Sequence, residues 1–289
     1  MPKNVMTKEQ LMYCTVLINA SSGNKSEQGT GFIVENNKGN YFIVTNCHIV
    51  NNFDSANFIF CLKNKDTISA DSDQNIKVDD LQERIIKPTD DTDACLIFLD
   101  DKIGEKSSQG IPLYFQCVPS ECFADESKND ISLSPIEDVV MVGYPEGIFD
   151  AYNNKPVFRK GITATDIHLD FNNKKEFLID IAAFNGSSGS PVFLERKNMS
   201  IDQNSNKIVI NNQYFLIGIL KNGFAEENKK CEYEFTEVYN ESKVELVFDY
   251  MLNLGVVIKS KEILNLLVLS ENFEYTKNSG IPSKRDHSQ

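Results

Sequence analysis

Residues 184–193 read FNGSSGSPVF. Ser188 sits among small residues, Gly186 and Ser187 before it and Gly189, Ser190 and Pro191 after it. Glycines permit a tight turn with backbone angles closed to other residues. Such a turn can expose a serine hydroxyl and aim successive backbone N–H groups at one point, as a nucleophile beside an oxyanion site requires. A serine- and glycine-rich surface loop has a similar composition. Here an apolar run precedes the turn and PVF follows it, so the turn is held between strands. A serine also needs a base. The chain has three histidines. His287 lies in a polar tail and His168 near a strand end, in ATDIHLD. His48, in VTNCHIV, follows a strand and precedes a short apolar turn, which suits a fixed general base. The carboxylate that orients such a base is best supplied by Asp93, in DDTDACLIFLD, at the mouth of an apolar strand. Asp90 and Asp91 read as solvated loop charge.

The elements that must position these residues are mostly strands. Short β-rich runs are expected at 14–19, 29–35, 41–46, 57–62 and 94–99. Residues 36–40, NNKGN, form the loop of a hairpin. Residues 64–93 read as surface loop with one or two edge strands. Residues 118–137 are rich in Ser, Asp, Glu and Pro and read as a linker. Strands are expected again at 138–143, 157–163, 176–182, 191–194, 207–210, 213–220 and 254–259, and one amphipathic helix at 261–269. Short, evenly spaced strands in two groups argue for sandwiches or barrels.

Composition narrows the partners. The 289 residues carry 42 Asp and Glu against 29 Lys and Arg, a formal charge of −13. That balance argues against nucleic acid and against anionic membrane surfaces. No apolar run is long enough to span a bilayer, and the N-terminal residues carry no signal-peptide pattern. The seven cysteines form no CxxC pair and no metal-knuckle spacing, so neither a metal nor a cofactor is expected. A reduced, cytoplasmic chain fits this usage. Cys47 has no evident partner.

The motifs GTGFIV, VTNCHIV, DACLI and GSSGSPVF, in that order, resemble the chymotrypsin-fold (trypsin-like) serine proteases. The resemblance is nearest to the bacterial branch of stand-alone trypsin-like peptidases, related to glutamyl endopeptidases and high-temperature-requirement proteases. The separations His48 to Asp93 and Asp93 to Ser188 are 45 and 95 residues, close to about 45 and about 93 in chymotrypsin. The resemblance implies an all-β fold of two six-stranded antiparallel barrels and a C-terminal α-helix. It places one barrel at 1–117 with His48 and Asp93, an interdomain linker at 118–137, the second barrel with Ser188 and the helix at 138–270, and a polar tail at 271–289. It implies a serine endopeptidase with Ser188 as nucleophile, His48 as general acid and base, and Asp93 orienting it. The backbone N–H groups of Gly186 and Ser188 would form the oxyanion hole. Ala182 would lie at the base of the primary pocket, and Lys221, Asn222 and Gly223 along the substrate backbone. An edge-strand lysine that blocks aggregation accounts for Lys221 equally well. With Ala182 in the pocket and Leu220 where glutamyl endopeptidases carry a pocket histidine, neither a basic nor an acidic preference is supported, and a small or apolar side chain is expected there. Ser187 stands where secreted relatives carry a carboxylate that pairs with a new N-terminus, so activity is expected without zymogen cleavage. The partners expected are a peptide or protein substrate and, if activity is controlled from outside, a regulatory protein. The rival reading is a catalytically silent peptide-binding module on the same scaffold.

Overall fold

The computed structural model describes residues 6–62, 75–111, 113–124, 133–202, 207–226, 230–237, 240–247 and 250–275. The expectations for His287 and most of the polar tail fall outside these residues. The described chain opens on a capping box. The Thr7 hydroxyl accepts the Gln10 N–H while the Gln10 side chain accepts the Thr7 N–H, which starts α1 (Lys8–Leu11).

The first half is a seven-stranded antiparallel sheet in the order β6-β4-β1-β2-β3-β8-β7. Its central strands are β1 (Thr15–Ser22), β2 (Lys25–Glu35) and β3 (Tyr41–Thr45). A helical turn, α2 (Cys47–Val50), follows β3. The flanking strands are β4 (Ser55–Ile59), β6 (Asn75–Val78), β7 (Ile85–Ile86) and β8 (Cys95–Phe98), and the short β5 (Cys61–Leu62) pairs with β9 (Leu113–Tyr114) apart from the sheet. Six strands were expected here. The seventh arises because both Asn75–Val78 and Ile85–Ile86 find ladders, and among the described residues no ladder joins β6 to β7. A helix absent from the sequence reading, α3 (Asp100–Ser108), follows β8, with Asp100 and Asp101 in its first turn where the helix dipole favours them.

The second half is a closed six-stranded barrel, β10-β11-β12-β17-β14-β13. Its strands are β10 (Asp138–Gly143), β11 (Val157–Thr163), β12 (Glu176–Asp180), β13 (Pro191–Asp202), β14 (Lys207–Glu226) and β17 (Tyr250–Lys259). Between the last two, β15 (Lys230–Glu237) and β16 (Asn240–Val247) form a separate hairpin not anticipated from the sequence. The chain then forms α4 (Ser260–Ser270). The all-β class, the closed barrel and the terminal helix are therefore as expected.

Three apolar clusters hold these layers. One fills the first sheet around Ile18, Ile33, Phe58 and Ile97, and one fills the barrel around Phe177, Val192, Ile217 and Val257. The third joins the halves: Phe32, Phe42 and Leu96 pack with Val142, Phe193, Ile258 and Leu266. The segment read as a linker contributes to this joint core, since Val118, Cys122 and Phe123 are buried. Helix α4 lies against β7 and β8 on one side and β14 and β17 on the other.

Residues past α4 fasten the helix to the first sheet. Phe273 packs on Phe42 and Phe98. The Tyr275 ring lies 4.2 Å below the fully buried Arg84 guanidinium. Arg84 also donates to Asp80 at 2.7 Å and to Asp101 at 2.6 Å. Burial opposes ionisation of Asp80, but the bonds from Arg84 and Tyr275 outweigh it and hold its carboxyl below the ordinary 3.8. Arg84→Ala, which strands two carboxylates, should destabilise the fold by about 3 kcal/mol in urea titrations. A depressed carboxylate stabilises above its unfolded pKa and loses that contribution as pH falls through the folded one. Asp80→Asn should therefore be less stable than wild type at neutral pH, with the two urea midpoints converging well below pH 3.8.

Candidate active site

Strand pairing brings His48 and Asp93 together. β3 and β8 run antiparallel with Thr45 opposite Cys95. The residues just past the end of β3 and just before β8 must then meet. Asn46 Nδ2 donates to the Asp93 carbonyl at 2.8 Å, and the Cys47 thiol to the Ala94 carbonyl at 3.2 Å. Asp93 grips His48 at two points: Oδ1 accepts the His48 backbone N–H at 3.0 Å, and Oδ2 lies 2.6 Å from Nδ1. The carboxylate side chain is 17% exposed and the imidazole 44%. One edge of the ring is thus fixed while the ring stays open to solvent.

Cys47 forms no disulfide. The neighbouring Cys95 draws the Cys47 thiol below its ordinary pKa, while Cys95, fully buried beside it, is pushed well above its own. The described thiols at positions 14, 47, 95, 117 and 122 are all free.

The Ser188 loop is shaped by two glycines with positive φ, Gly186 at 79° and Gly189 at 86°. Neither tolerates a side chain. A Cβ on Gly189 would stand 1.8 Å from the Thr30 carbonyl, and one on Gly186 would stand 2.6 Å from the Tyr144 carbonyl. Three amides of the loop have backbone acceptors. Ser187 N–H donates to Phe184 at 3.0 Å, Gly189 N–H to Leu220 at 2.9 Å and Ser190 N–H to Ser187 at 3.0 Å. Among the described residues, the Gly186 and Ser188 N–H groups have no acceptor. No described hydrogen bond joins Ser188 to His48, a contact that often tightens only with substrate bound.

The loop is anchored across the joint between the two halves. Thr30 of β2 is fully buried. Its N–H donates to the Ser188 carbonyl at 2.8 Å and its hydroxyl to the Gly186 carbonyl at 2.9 Å. That hydroxyl also accepts the Tyr144 N–H at 3.1 Å, and the Thr45 hydroxyl donates to the Thr30 carbonyl at 2.8 Å. On the other side, Glu146 N–H donates to the Asn185 carbonyl at 2.6 Å. The Asn185 peptide carbonyl therefore points at Glu146, and its own N–H partner, that of Gly186, points the opposite way. Ser187 is buried, and its hydroxyl accepts the Phe184 N–H at 3.4 Å.

The residues expected to face a substrate, Lys221, Asn222 and Gly223, lie along β14. The β13–β14 ladder stops at the Pro191–Ile219 pair, so from Lys221 onward the strand edge facing the Ser188 loop has no described ladder partner. A bulge between Leu220 and Asn222 leaves Lys221 as the extra residue. Lys221, Asn222 and Gly223 line a cavity of about 250 Å³ with Phe171, Lys174 and Phe224. Lys221 Nζ is held by Glu176 at 2.9 Å. Gly223 packs on Ala183, where an added Cβ would stand 2.8 Å from the carbonyl. Ala182 is half-buried, and its carbonyl accepts a hydrogen bond from Arg159. Asp180 is exposed on its strand. Asp90 is tied to its own loop through the Thr92 N–H at 3.1 Å. His168 is paired locally with Asp166 at 2.8 Å.

Thr30 and Arg159 are the residues that sequence reasoning left without a role. Thr30 stands inside the GTGFIV motif and Arg159 inside the strand expected at 157–163, so both positions were visible; their partners, 156 and 23 residues away, were not.

Among solved structures, the chain is similar to tobacco vein mottling virus protease at 13% identity, covering 90% of this chain and 82% of that one, with a TM-score of 0.45. It is similar to the MamO protease domain from Magnetospirillum magneticum in its apo form at 13% identity, covering 89% and 96%, with a TM-score of 0.46. A mutant Tobacco Etch Virus protease matches at 12% identity, covering 94% and 84%, with a TM-score of 0.47. No curated protein matches the chain. The family model described as the trypsin-like peptidase domain matches residues 29–199, more than half of the chain and the stretch that holds His48, Asp93 and Ser188, and the chain therefore belongs to the trypsin-like peptidase domain family.

Proposed function

We propose that the chain is a serine endopeptidase that works through an acyl-enzyme on Ser188. The observation that carries this reading is the two-point grip of Asp93 on His48, at 3.0 and 2.6 Å. Holding Nδ1 on a carboxylate fixes the tautomer and leaves Nε2 as the basic nitrogen. His48 takes the Ser188 proton as the hydroxyl oxygen attacks the peptide carbonyl, then returns it to the departing amine. Water repeats the sequence to free the acid. The Gly186 and Ser188 N–H groups receive the developing oxyanion, a role supported by their lack of any other described acceptor. The open edge at Lys221, Asn222 and Gly223 pairs with the substrate backbone.

In this reading the enzyme needs no zymogen cleavage. Ser187 cannot form a buried ion pair with a new N-terminus, and the loop is tied instead by Thr30 and by Glu146 N–H. In the same reading the chain is a stand-alone bacterial trypsin-like peptidase, which the resemblance of the motifs supports. His48 and Asp93 belong to a first functional unit (1–117) and Ser188 to a second (138–270). Among the described residues, no helix is long and apolar enough to cross a membrane.

A fluorophosphonate probe tests the proposal. Wild type should be labelled at Ser188, and both Ser188→Ala and His48→Ala should lose labelling. A folded wild-type protein that labels no better than Ser188→Ala would instead establish a silent peptide-binding module. Thr30 tests how the loop is positioned. Thr30→Val keeps the shape but removes the hydroxyl bonded to Gly186, and should lower kcat about 100-fold with KM little changed. Thr30→Ser should restore most of that loss. Equal kcat in wild type and the valine variant would show that the hydroxyl positions nothing.

A further inference from the structure

Arg159 occupies an unusual environment for an arginine. It lies on the more buried face of β11, where the half-buried Val157, Arg159 and Gly161 alternate with the exposed Phe158, Lys160 and Ile162. Its guanidinium donates to the Ala182 carbonyl and lies 4.9 Å from the Phe184 ring centroid. Among the described residues, no carboxylate stands within ion-pairing distance of it. Two lysines of the same barrel do have carboxylate partners. Lys160 is held by Glu195 at 2.5 Å, and Lys221 by Glu176 at 2.9 Å. Partial burial of an unpaired cation carries a desolvation cost that pairing normally offsets, and burial here lowers the Arg159 pKa. A guanidinium carries five N–H donors, so the bond to Ala182 leaves capacity for a bidentate carboxylate.

The location gives this unmet capacity a use. Ala182 begins the segment that runs directly into the Ser188 loop, and the adjoining residues 183 and 223 touch. On the serine-endopeptidase reading, Ala182 stands at the base of the pocket that takes the side chain on the acyl side of the scissile bond, which puts the Arg159 guanidinium beside that pocket. Phe184 is 38% exposed at that point and presents the face on which the guanidinium is stacked. From this geometry, and resting on the serine-endopeptidase reading, we infer that Arg159 selects an acidic residue, Asp or Glu, on the acyl side of the cleaved bond. The carboxylate pairs with the guanidinium beside the Ala182 carbonyl. This replaces the expectation of a small or apolar side chain, which rested on Ala182 and Leu220 and could not include a residue 23 positions before Ala182 in the chain.

The test is a peptide library varied at the acyl-side residue, read by mass spectrometry, with fluorophosphonate labelling of Ser188 run in parallel. Wild type should prefer Glu over Gln by at least about tenfold in kcat/KM. Arg159→Gln should bring that ratio near one, Arg159→Lys should keep part of it, and Arg159→Glu should invert it toward Lys. Thermal melts of each variant separate these effects from unfolding. If Ser188 labels and peptides are cut without acidic preference, or if Arg159→Gln keeps the preference, the inference fails and the endopeptidase reading stands. If Ser188 does not label and no peptide is cut, the endopeptidase reading fails and the inference falls with it.

Discussion

The site depends on one buried hydroxyl. Thr30 belongs to the first sheet, and the loop it holds belongs to the barrel. Its N–H and Oγ1 reach the carbonyls of Ser188 and Gly186 at 2.8 and 2.9 Å, the two residues whose own N–H groups are left unspent. A peptide group is rigid and planar, so fixing a carbonyl also fixes the direction of the N–H bonded to the same carbon. The Asn185 carbonyl is fixed by Glu146 N–H and the Ser187 carbonyl by Ser190 N–H, and these two peptides carry the Gly186 and Ser188 N–H groups; the Thr30 bonds fix the adjoining peptides, which carry the Ser187 and Gly189 N–H groups. Every peptide from 185 to 188 is thereby oriented from at least one side. The positive φ values at Gly186 and Gly189 let the chain follow this path, and the near contact of Gly189 with the Thr30 carbonyl shows how tightly it is drawn in.

Such an anchor works only if the two halves keep one relative position. The joint core supplies this, with Phe32, Phe42 and Leu96 of the first sheet interleaved with Val142, Phe193 and Ile258 of the barrel. Burying several large apolar side chains contributes on the order of 2 kcal/mol each. That is large beside the 0.5–1.5 kcal/mol net worth of an ordinary hydrogen bond. The apolar core therefore sets the alignment and the Thr30 bonds use it. Helix α4 and the Phe273–Tyr275 segment extend the same clamp, reaching from the barrel back to Arg84 of the first sheet.

What could be read from the sequence divides along the same physical line. The glycines flanking Ser188 announce unusual backbone angles, and the apolar runs beside His48 and Asp93 announce strand ends; both are local signals. Strand pairing then placed His48 against Asp93, as the motif order implied. Contacts without a local signature were illegible. Thr30 looks like one more β-branched strand residue, and Arg159 like one of several surface cations, until the pairing of distant segments is known. Helix α3 was missed because DDKIGEKSS contains a glycine and one buried apolar residue, Ile103, too little for a helical stripe. The β15 sequence KCEYEFTE does alternate polar and apolar residues, a strand signal that was passed over because the stretch is so highly charged; among the described residues β15 and β16 pair only with each other.

The way the loop is held has a further consequence for control. A buried ion pair formed by a new N-terminus comes into being only when the chain is cut. A threonine hydroxyl is present from synthesis, carries no charge and cannot be titrated. Its bonds form as soon as the first sheet meets the barrel, so on the proposed reading competence accompanies folding. Nothing in the Ser188 loop then separates an off state from an on state, because Ser187 is neutral and buried. Restraint would have to come from the substrate. On the same reading Arg159 supplies it: a half-buried cation with no described carboxylate favours peptides that bring one and disfavours peptides that bring a second cation. In a chain with 42 acidic residues and a net charge of −13, an arginine with no carboxylate partner among the described residues is a local exception to the global charge. Specificity set at one position in this way can restrain an enzyme that is otherwise active from the moment it folds.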